Sequence, residues 1–208
     1  MSYGFLDIAN TPSVEAAQAQ NASAHLWQNF KGDRAFHRFT DNEAAFIAER
    51  DSFYMASVSE TGWPYVQHRG GPRGFLRMID DRTLAFADFA GNRQYISLGN
   101  LAADARVSLI LVDYANRRRL KIFAHAQAKS IADDPKLAEV IATPGYRGRA
   151  ERAFVLRLDA FDWNCPQHIT PRFNAPDVAQ AIGKLQQRIE ELEAENVRLT
   201  DSAIKPPA

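Results

Sequence analysis

Between residues 53 and 158, short runs of strand-forming residues alternate with turn signals, and this pattern most constrains the fold. The predicted strands are rich in aromatic and β-branched residues and span 53–59, 65–69, 74–79, 83–87, 107–113, 119–130 and 154–158. Turn-forming residues such as Glu60-Thr61-Gly62 and Asp80-Asp81 separate them. A parallel sheet would need a helix after nearly every strand, and the spacing provides few. We therefore predict a mainly β fold, an antiparallel closed or nearly closed barrel with flanking helices.

Few segments are predicted to be helical. Thr40 followed by Glu43 is a capping-box pattern that predicts a helix from there to about residue 50. Residues 92–100 predict a second helix, and residues 135–141, with proline in the first turn, predict a third. The alanine-rich segment 14–30 predicts an N-terminal helix whose docking residues are apolar: Leu26, Trp27 and Phe30.

A heptad repeat marks the C-terminal segment. Two rows recur every seven residues and are offset by four: Val178, Leu185, Leu192 and Leu199 in one, Ile182, Ile189 and Asn196 in the other. A polar Asn at an a position favours a coiled-coil-like helix that pairs with another helix. An amphipathic helix lying on its own barrel is the alternative. The predicted domains are a helical extension (1–39), the barrel (40–175), the heptad helix (176–200) and a frayed tail (201–208).

Composition narrows the range of partners and locations. The chain has 208 residues, 46% of them hydrophobic, which suffices for one core-forming domain. Its 25 basic and 25 acidic residues balance, so no global charge draws it to nucleic acid or to an anionic membrane. The longest aliphatic run, residues 107–112, is far too short to cross a bilayer. With a single cysteine and a polar start, we predict a cytoplasmic protein.

A strand crowded with polar groups, Pro64-Tyr65-Val66-Gln67-His68-Arg69, is the first candidate binding element. Strand alternation places Gln67 and Arg69 on one face, and Val66 and His68 on the other. Two long donors side by side could hold the polar edge of a flat ligand. A solvent-facing barrel strand with ordinary charges explains the same pattern.

The segment from Asp88 to Gln94 is the second candidate, because it leads from a strand into a predicted helix. A helix start offers unpaired N–H groups and the positive end of a dipole. Asn92 could cap this helix, and the guanidinium of Arg93 suits phosphate. The motif is neither a P-loop nor a Gly-x-Gly-x-x-Gly turn, and a plain helix cap is the alternative.

Two further segments concentrate reactive residue types. Arg119 and Lys121 share one face of a basic strand, which indicates either a protected sheet edge or a weak nucleic-acid patch. The segment from Trp163 to Phe173 holds Cys165 and His168 between prolines, as functional loops often do. A nucleophilic cysteine would need a nearby base, and a small packed residue is the alternative. The five histidines are scattered without metal-ligand spacing, so no metal site is predicted.

In this order, the features resemble the pyridoxamine 5′-phosphate oxidase-like, FMN-binding split-barrel family over roughly residues 39–173. The resemblance rests on Gly62-x-Pro64, the polar strand, Gly91-Asn92-Arg93-Gln94 before a short helix, and Asn100 with Asp104-Ala105-Arg106. It implies an antiparallel split barrel that binds FMN at the interface of a homodimer.

The family's functional positions map onto this chain with substitutions. The strand arginine that meets the flavin falls on Gln67, with Arg69 two residues on, and the Ser-Arg-Lys phosphate motif falls on Asn92-Arg93-Gln94. A flavin-side glutamine falls near Arg119, and a C-terminal Trp and Arg fall on Trp163 and Arg172. The residues predicted to bind cofactor are Gln67, His68, Arg69, Asn92, Arg93, Gln94, Arg119, Lys121, Trp163 and Arg172.

The departures from the family concern its substrate. The oxidase uses a lysine shortly after its first arginine to hold the substrate phosphate, and Gly71-Pro72 occupies that stretch here. His168 is only a loose counterpart of its C-terminal histidine. We therefore expect an FMN-dependent oxidoreductase that acts on a small molecule other than pyridoxamine phosphate. A non-catalytic flavin-binding module is the alternative, and no catalytic residue is assigned.

Overall fold

The computed structural model describes residues 3–27, 37–163 and 167–204. Its strands are β1 (Ser52–Val58), β2 (Pro64–Gly70), β3 (Arg77–Asp80), β4 (Thr83–Phe89), β5 (Arg106–Asp113), β6 (Arg118–Lys129) and β7 (Ala150–Trp163). Its α-helices are α1 (Tyr3–Ala9), α2 (Pro12–Gln20), α3 (Asp41–Ala48), α4 (Ile96–Ala103), α5 (Pro135–Val140) and α6 (Ala175–Ile204), and a 3-10 turn spans Ala24–Leu26.

The strands form one antiparallel sheet in the order β2-β1-β5-β6-β7-β4-β3. Three strands separate β1 from β4 in this order, yet the rings of Phe53 on β1 and Phe86 on β4 lie 5.2 Å apart, edge to face. The sheet therefore curls until its two ends meet around a shared core. This confirms the predicted mainly β, antiparallel split barrel with flanking helices.

Alternation along the strands builds that core. Side chains at every second position point inward and are almost fully buried, including Met55, Leu109, Leu111, Leu120, Ile122 and Leu156. The phenylalanines fill the space where the ends of the sheet meet, with Phe53 stacked on Phe75 and Phe86 stacked on Phe154. A core of this density fixes the backbone positions from which the site residues project.

Helix α3 begins at the predicted capping box. The Thr40 hydroxyl accepts a hydrogen bond from the Asn42 N–H, and the Glu43 carboxylate accepts one from the Thr40 N–H. Glu43 is nearly buried and also accepts the indole N–H of Trp163 at 2.6 Å. Burial raises the pKa of Glu43, but the hydrogen bonds from Thr40, Trp163 and Asn42 together hold the pKa below its ordinary value. The carboxylate thus ties α3 to the end of β7.

The prediction of one N-terminal helix over residues 14–30 is wrong. Helix α2 ends at Gln20, because the Asn21 side chain donates to the carbonyl of Ala17 and Ala22 turns into the left-handed region at φ +54°. Leu26 is 56% exposed and does not dock as predicted, and Phe30 lies outside the described residues. The contact comes instead from α1, where Phe5 stacks on Phe123 of β6 at 4.3 Å.

Other boundaries also differ from the predictions. The strand predicted over 74–79 starts only at Arg77, because Gly74 has a φ of +74° and the next two residues are buried in the core. Strand β7 is longer than predicted, from Ala150 to Trp163. Helix α6 runs from Ala175 to Ile204, and its heptad side chains are exposed instead of packed on the barrel. Within the described residues, no helix is both long and apolar enough to cross a membrane.

Replacing Trp163 with Phe tests the link between α3 and β7. The variant loses the N–H that Glu43 accepts, so the free energy of unfolding in urea at pH 7 should fall by about 1.5–3 kcal/mol. A carboxylate whose folded pKa is lowered stabilises the fold above its unfolded pKa of about 4.3, and this contribution disappears as pH falls through the folded pKa. The difference between variant and wild type should therefore shrink in acid.

The matched control is Trp63→Phe, because that ring is 76% exposed. Its free energy of unfolding should stay within about 0.5 kcal/mol of wild type. Equal losses in the two variants would contradict the role assigned to Glu43.

Candidate cofactor site

A cavity of about 220 Å³ lies between β2, the end of β4 and the first turn of α4. Its walls are mostly polar, and five segments contribute them: β2, the end of β4, the loop of residues 91–95, the first turn of α4 and the start of β7. The sheet order places β2 at one edge and β4 next to the other. The cavity therefore exists only because the barrel curls.

Strand β2 alternates as predicted. Gln67 and Arg69 are half-buried and line the cavity, whereas Val66 and His68 are exposed on the opposite face. The His68 ring lies edge-on to Tyr54, with ring centroids 5.4 Å apart. Two of the three predicted binding residues on this strand thus share the cavity, and His68 does not.

Asp88 organises the charge in this cavity. The Arg69 guanidinium donates to one of its carboxylate oxygens at 2.6 Å, and the Arg152 guanidinium donates to the other at 2.9 Å. Asp88 is buried, and Arg69 also lies over the Phe154 ring at 5.2 Å. Arg69 is therefore held in place with its charge compensated, while its Nε is buried without a hydrogen-bond partner among the described residues.

The loop before α4 does not adopt the predicted helix cap. Asn92 accepts a hydrogen bond from the N–H of Gln94, which forms a local turn. Helix α4 begins only at Ile96, and its N-cap Tyr95 is left-handed at φ +51° with no side-chain cap bond. The prediction that Asn92 caps a helix from residue 92 is wrong, because its side-chain oxygen instead accepts the Gln94 N–H within the loop.

Because of this local turn, hydrogen-bond donors border the cavity. The uncapped first turn of α4 lines the cavity with Ile96, Ser97 and Leu98. Arg93, held at φ +61°, is exposed and makes no ion pair or hydrogen bond with the described residues. The positive end of the helix dipole and an uncompensated guanidinium thus border the same space.

Helix α4 is positioned by two hydrogen bonds to the sheet. The Ser97 hydroxyl donates to the Gln67 side-chain carbonyl at 3.0 Å, and the buried Asn100 amide donates to the Ser57 hydroxyl at 3.0 Å. Because the Gln67 carbonyl is occupied, its NH₂ group is the end available to a ligand.

The ten predicted binding residues fall into two groups. Those that line the cavity are Gln67, Arg69, Asn92, Arg93 and Gln94, and those that do not are His68, Arg119, Lys121, Trp163 and Arg172. Lys121 pairs with Asp162 at 2.9 Å and lies over the Phe5 ring on the face covered by α1. Arg119 points to the same face of β6 by alternation.

The remaining members of the second group pack elsewhere. Trp163 bonds Glu43 and packs against Phe46, and Arg172 lies over the Tyr114 ring at 4.8 Å. Cys165 lies outside the described residues, so cysteine catalysis stays a hypothesis. Among the residues that are described, no group of three or more His, Cys, Asp or Glu could hold a metal ion.

Sequence reasoning missed several residues of the cavity, and it gave Asp88 no role although that residue lies in the candidate segment 88–94. Asp88, Ser97 and Glu151 all line it, and the Glu151 carboxylate accepts a hydrogen bond from the Tyr95 hydroxyl at 3.4 Å. An acidic residue at the end of the otherwise apolar β4 was the available signal for Asp88. Ser97 and Glu151 gave none, because only the tertiary fold brings them to β2.

Asp88→Asn tests the organising role of this carboxylate. The change keeps the shape and removes the charge shared by Arg69 and Arg152. Breaking a buried ion pair typically costs 3–5 kcal/mol, and Arg152 keeps Glu151 as a partner, so we expect a loss near 3 kcal/mol in urea unfolding. The control is Asp81→Asn, whose ion pair with Arg38 is exposed and should contribute at most about 1 kcal/mol. A loss at Asp88 no greater than at Asp81 would refute the assignment.

A search of curated proteins found no match. Similar solved structures include an FMN-binding protein from Syntrophomonas wolfei (14% identity, TM-score 0.47, covering 71% of this chain and 97% of that one). Another is a protein of the pyridoxinephosphate oxidase family from Clostridium acetobutylicum, related to general stress protein 26 (12%, 0.47, 71% and 99%). A third is an F420 reductase (21%, 0.41, 56% and 93%). The family model for pyridoxamine 5′-phosphate oxidase matches residues 39–163, more than half of the chain, and the protein belongs to this family.

Proposed function

We propose that this protein binds FMN, with the phosphate at the cavity beside α4, and that it is a flavin-dependent oxidoreductase acting on a small substrate. Membership of the family supports the class of cofactor. The observation that carries the proposal is the pairing of an uncompensated Arg93 guanidinium with the uncapped first turn of α4.

The donors of the cavity suit a phosphate better than a neutral group. A phosphate ester is an anion with several strong acceptors, and a planar guanidinium can donate to two of them at once. Asp88 compensates Arg69 and Arg152. Arg93 is therefore the charge left to attract an anion, and the N–H groups of α4 supply uncharged donors.

The size of the cavity favours a homodimer. Sites for ligands of this size usually measure about 300–1,000 Å³, whereas this cavity measures about 220 Å³. One chain would then hold the phosphate end, and a second copy would complete the site around the ring.

Several residues would then have distinct roles. Bound FMN would supply hydride or electron transfer, which no side chain can provide. Arg93 would bind its phosphate, and the Gln67 NH₂ group, oriented by Ser97, would donate to an acceptor of the ligand. Arg69 would position neighbouring groups instead of adding charge, because Asp88 already compensates it.

Pyridoxamine phosphate is not the proposed substrate. A Cβ added at Gly71 would lie 2.6 Å from a ring atom of Phe75, which is buried in the core. Position 71 therefore cannot carry the long cation that the oxidase places in this stretch without displacing that ring. A different small substrate fits better.

The absorption spectrum of the purified protein and an FMN titration test the proposal. We expect flavin bands and micromolar or tighter affinity. A protein that is colourless and does not bind added FMN would overturn the proposal, and bands of a deazaflavin would replace FMN with that cofactor. The flavin-loaded protein should oxidise NAD(P)H or a small reductant, and tight binding without any turnover would leave a flavin-binding module instead of an enzyme.

Arg93→Ala should weaken FMN binding by about 1.5–3 kcal/mol, the range for hydrogen bonds to charged groups, or roughly 10- to 150-fold in Kd. Isothermal titration at fixed ionic strength measures it. Arg198→Ala is the matched control, because Arg198 is an exposed arginine on α6, away from the cavity lining. It should leave Kd unchanged, and unchanged binding in Arg93→Ala would remove Arg93 from the site.

A further inference from the structure

Helix α6 presents to solvent an apolar row that Asn196 interrupts once. The exposed fractions along this row are 43% for Val178, 48% for Ile182, 65% for Leu185, 54% for Ile189, 46% for Leu192 and 62% for Leu199. The other faces carry mostly charged and polar residues, with some alanines and the exposed Val197. A helix exposed in this way gains little from burial, and isolated helices are marginally stable in water. The row therefore indicates a surface that binds a partner.

We propose that the partner is α6 of a second copy, and that the two helices form a parallel, in-register, two-stranded coiled coil. This proposal does not depend on the proposed flavin chemistry. In heptad terms, Ile182, Ile189 and Asn196 occupy a positions, and Leu185, Leu192 and Leu199 occupy d positions. β-branched residues at a with leucine at d favour two parallel strands over higher assemblies.

Asn196 selects the orientation. In a parallel pair, a positions face each other, so the two Asn196 amides can bond across the seam. In an antiparallel pair, a positions face d positions, and the Asn196 amide would be buried against a leucine. An unpaired buried amide costs roughly 1–3 kcal/mol, which disfavours that arrangement.

Charges beside the seam agree with the same register. Arg188 lies at a g position and Glu193 at the following e position, so each Arg188 can reach Glu193 of the second copy. Within one chain, Arg188 pairs with Glu191 at 2.9 Å, and both side chains are more than half exposed. An exposed ion pair of this kind contributes little to stability. Replacing it with a pair between Arg188 and Glu193 of the second copy therefore costs little free energy. The other g–e combinations of this register, Ala181 with Gln186 and Glu195 with Thr200, oppose no like charges.

Cysteine cross-linking of the full-length chain tests the proposal. Leu185→Cys and Leu192→Cys are made separately in a Cys165→Ser background, with Ala194→Cys at an outward f position as the matched control. Facing d positions allow the Cβ separation of about 3.8 Å that a disulfide needs, so both d variants should form cross-linked dimer at least roughly tenfold faster than the control on mild oxidation. Non-reducing electrophoresis follows the reaction.

The cross-linking rates distinguish parallel pairing, another register and no pairing. Rapid cross-linking of both d variants supports the parallel pair, because an antiparallel pair sets d positions against a positions and brings neither cysteine onto its own copy. Cross-linking of one variant alone would overturn the parallel register. Rates equal to that of Ala194→Cys would overturn pairing altogether. The flavin spectrum of each variant, recorded alongside, keeps failure here separate from failure of the proposed cofactor site.

Discussion

The ion pair between Arg69 and Asp88 closes the barrel, and the site depends on that closure. Arg69 lies on an edge strand and Asp88 on a strand near the opposite edge, so their 2.6 Å contact joins the two ends of the sheet. The stacked phenylalanines of the core stabilise this closure through the hydrophobic effect, and the ion pair specifies the register in which the two ends of the sheet meet. Because Arg152 binds the second oxygen of Asp88, the carboxylate is satisfied on both sides although it is buried.

This closure also explains the electrostatics of the cavity. Arg69 and Arg152 share Asp88, and Glu151 accepts from Arg152 and from Tyr95, so most of the charges in the wall cancel. Arg93 differs because it stands on a loop whose backbone is left-handed and whose local turn is made by Asn92. Residues held in such conformations often mark functional loops, since the surrounding fold must compensate for the strain. The loop thus presents the one cation of the cavity lining that its neighbours leave uncompensated.

The parts of this fold that were predictable are those set by local chemistry. The capping box at Thr40 and Glu43, the turns between strands and the alternation along β2 depend on neighbours in sequence, and the structure has them as predicted. The start of α4 was mispredicted because Asn92 can either cap a helix or form its own turn, and only the packing of Ser97 and Asn100 against the sheet decides between them. For the same reason Asp88 received no role, and Trp163 was assigned to the cofactor although it bonds Glu43. Their partners lie 19 and 120 residues away in sequence.

The proposed dimeric cofactor site and the proposed coiled coil each need a second copy, and one symmetry axis can serve both. A parallel two-stranded coiled coil has a two-fold axis along its length, and a homodimer of barrels has a two-fold axis through its interface. Eleven residues separate the end of β7 at Trp163 from the start of α6 at Ala175, and Arg172 among them lies over the ring of Tyr114. Helix α6 therefore starts close to the barrel, so an axis along the paired helices would run beside the barrels. The coiled coil would raise the effective concentration of one barrel near the other, and so favour the dimer in which the proposed cofactor site is shared.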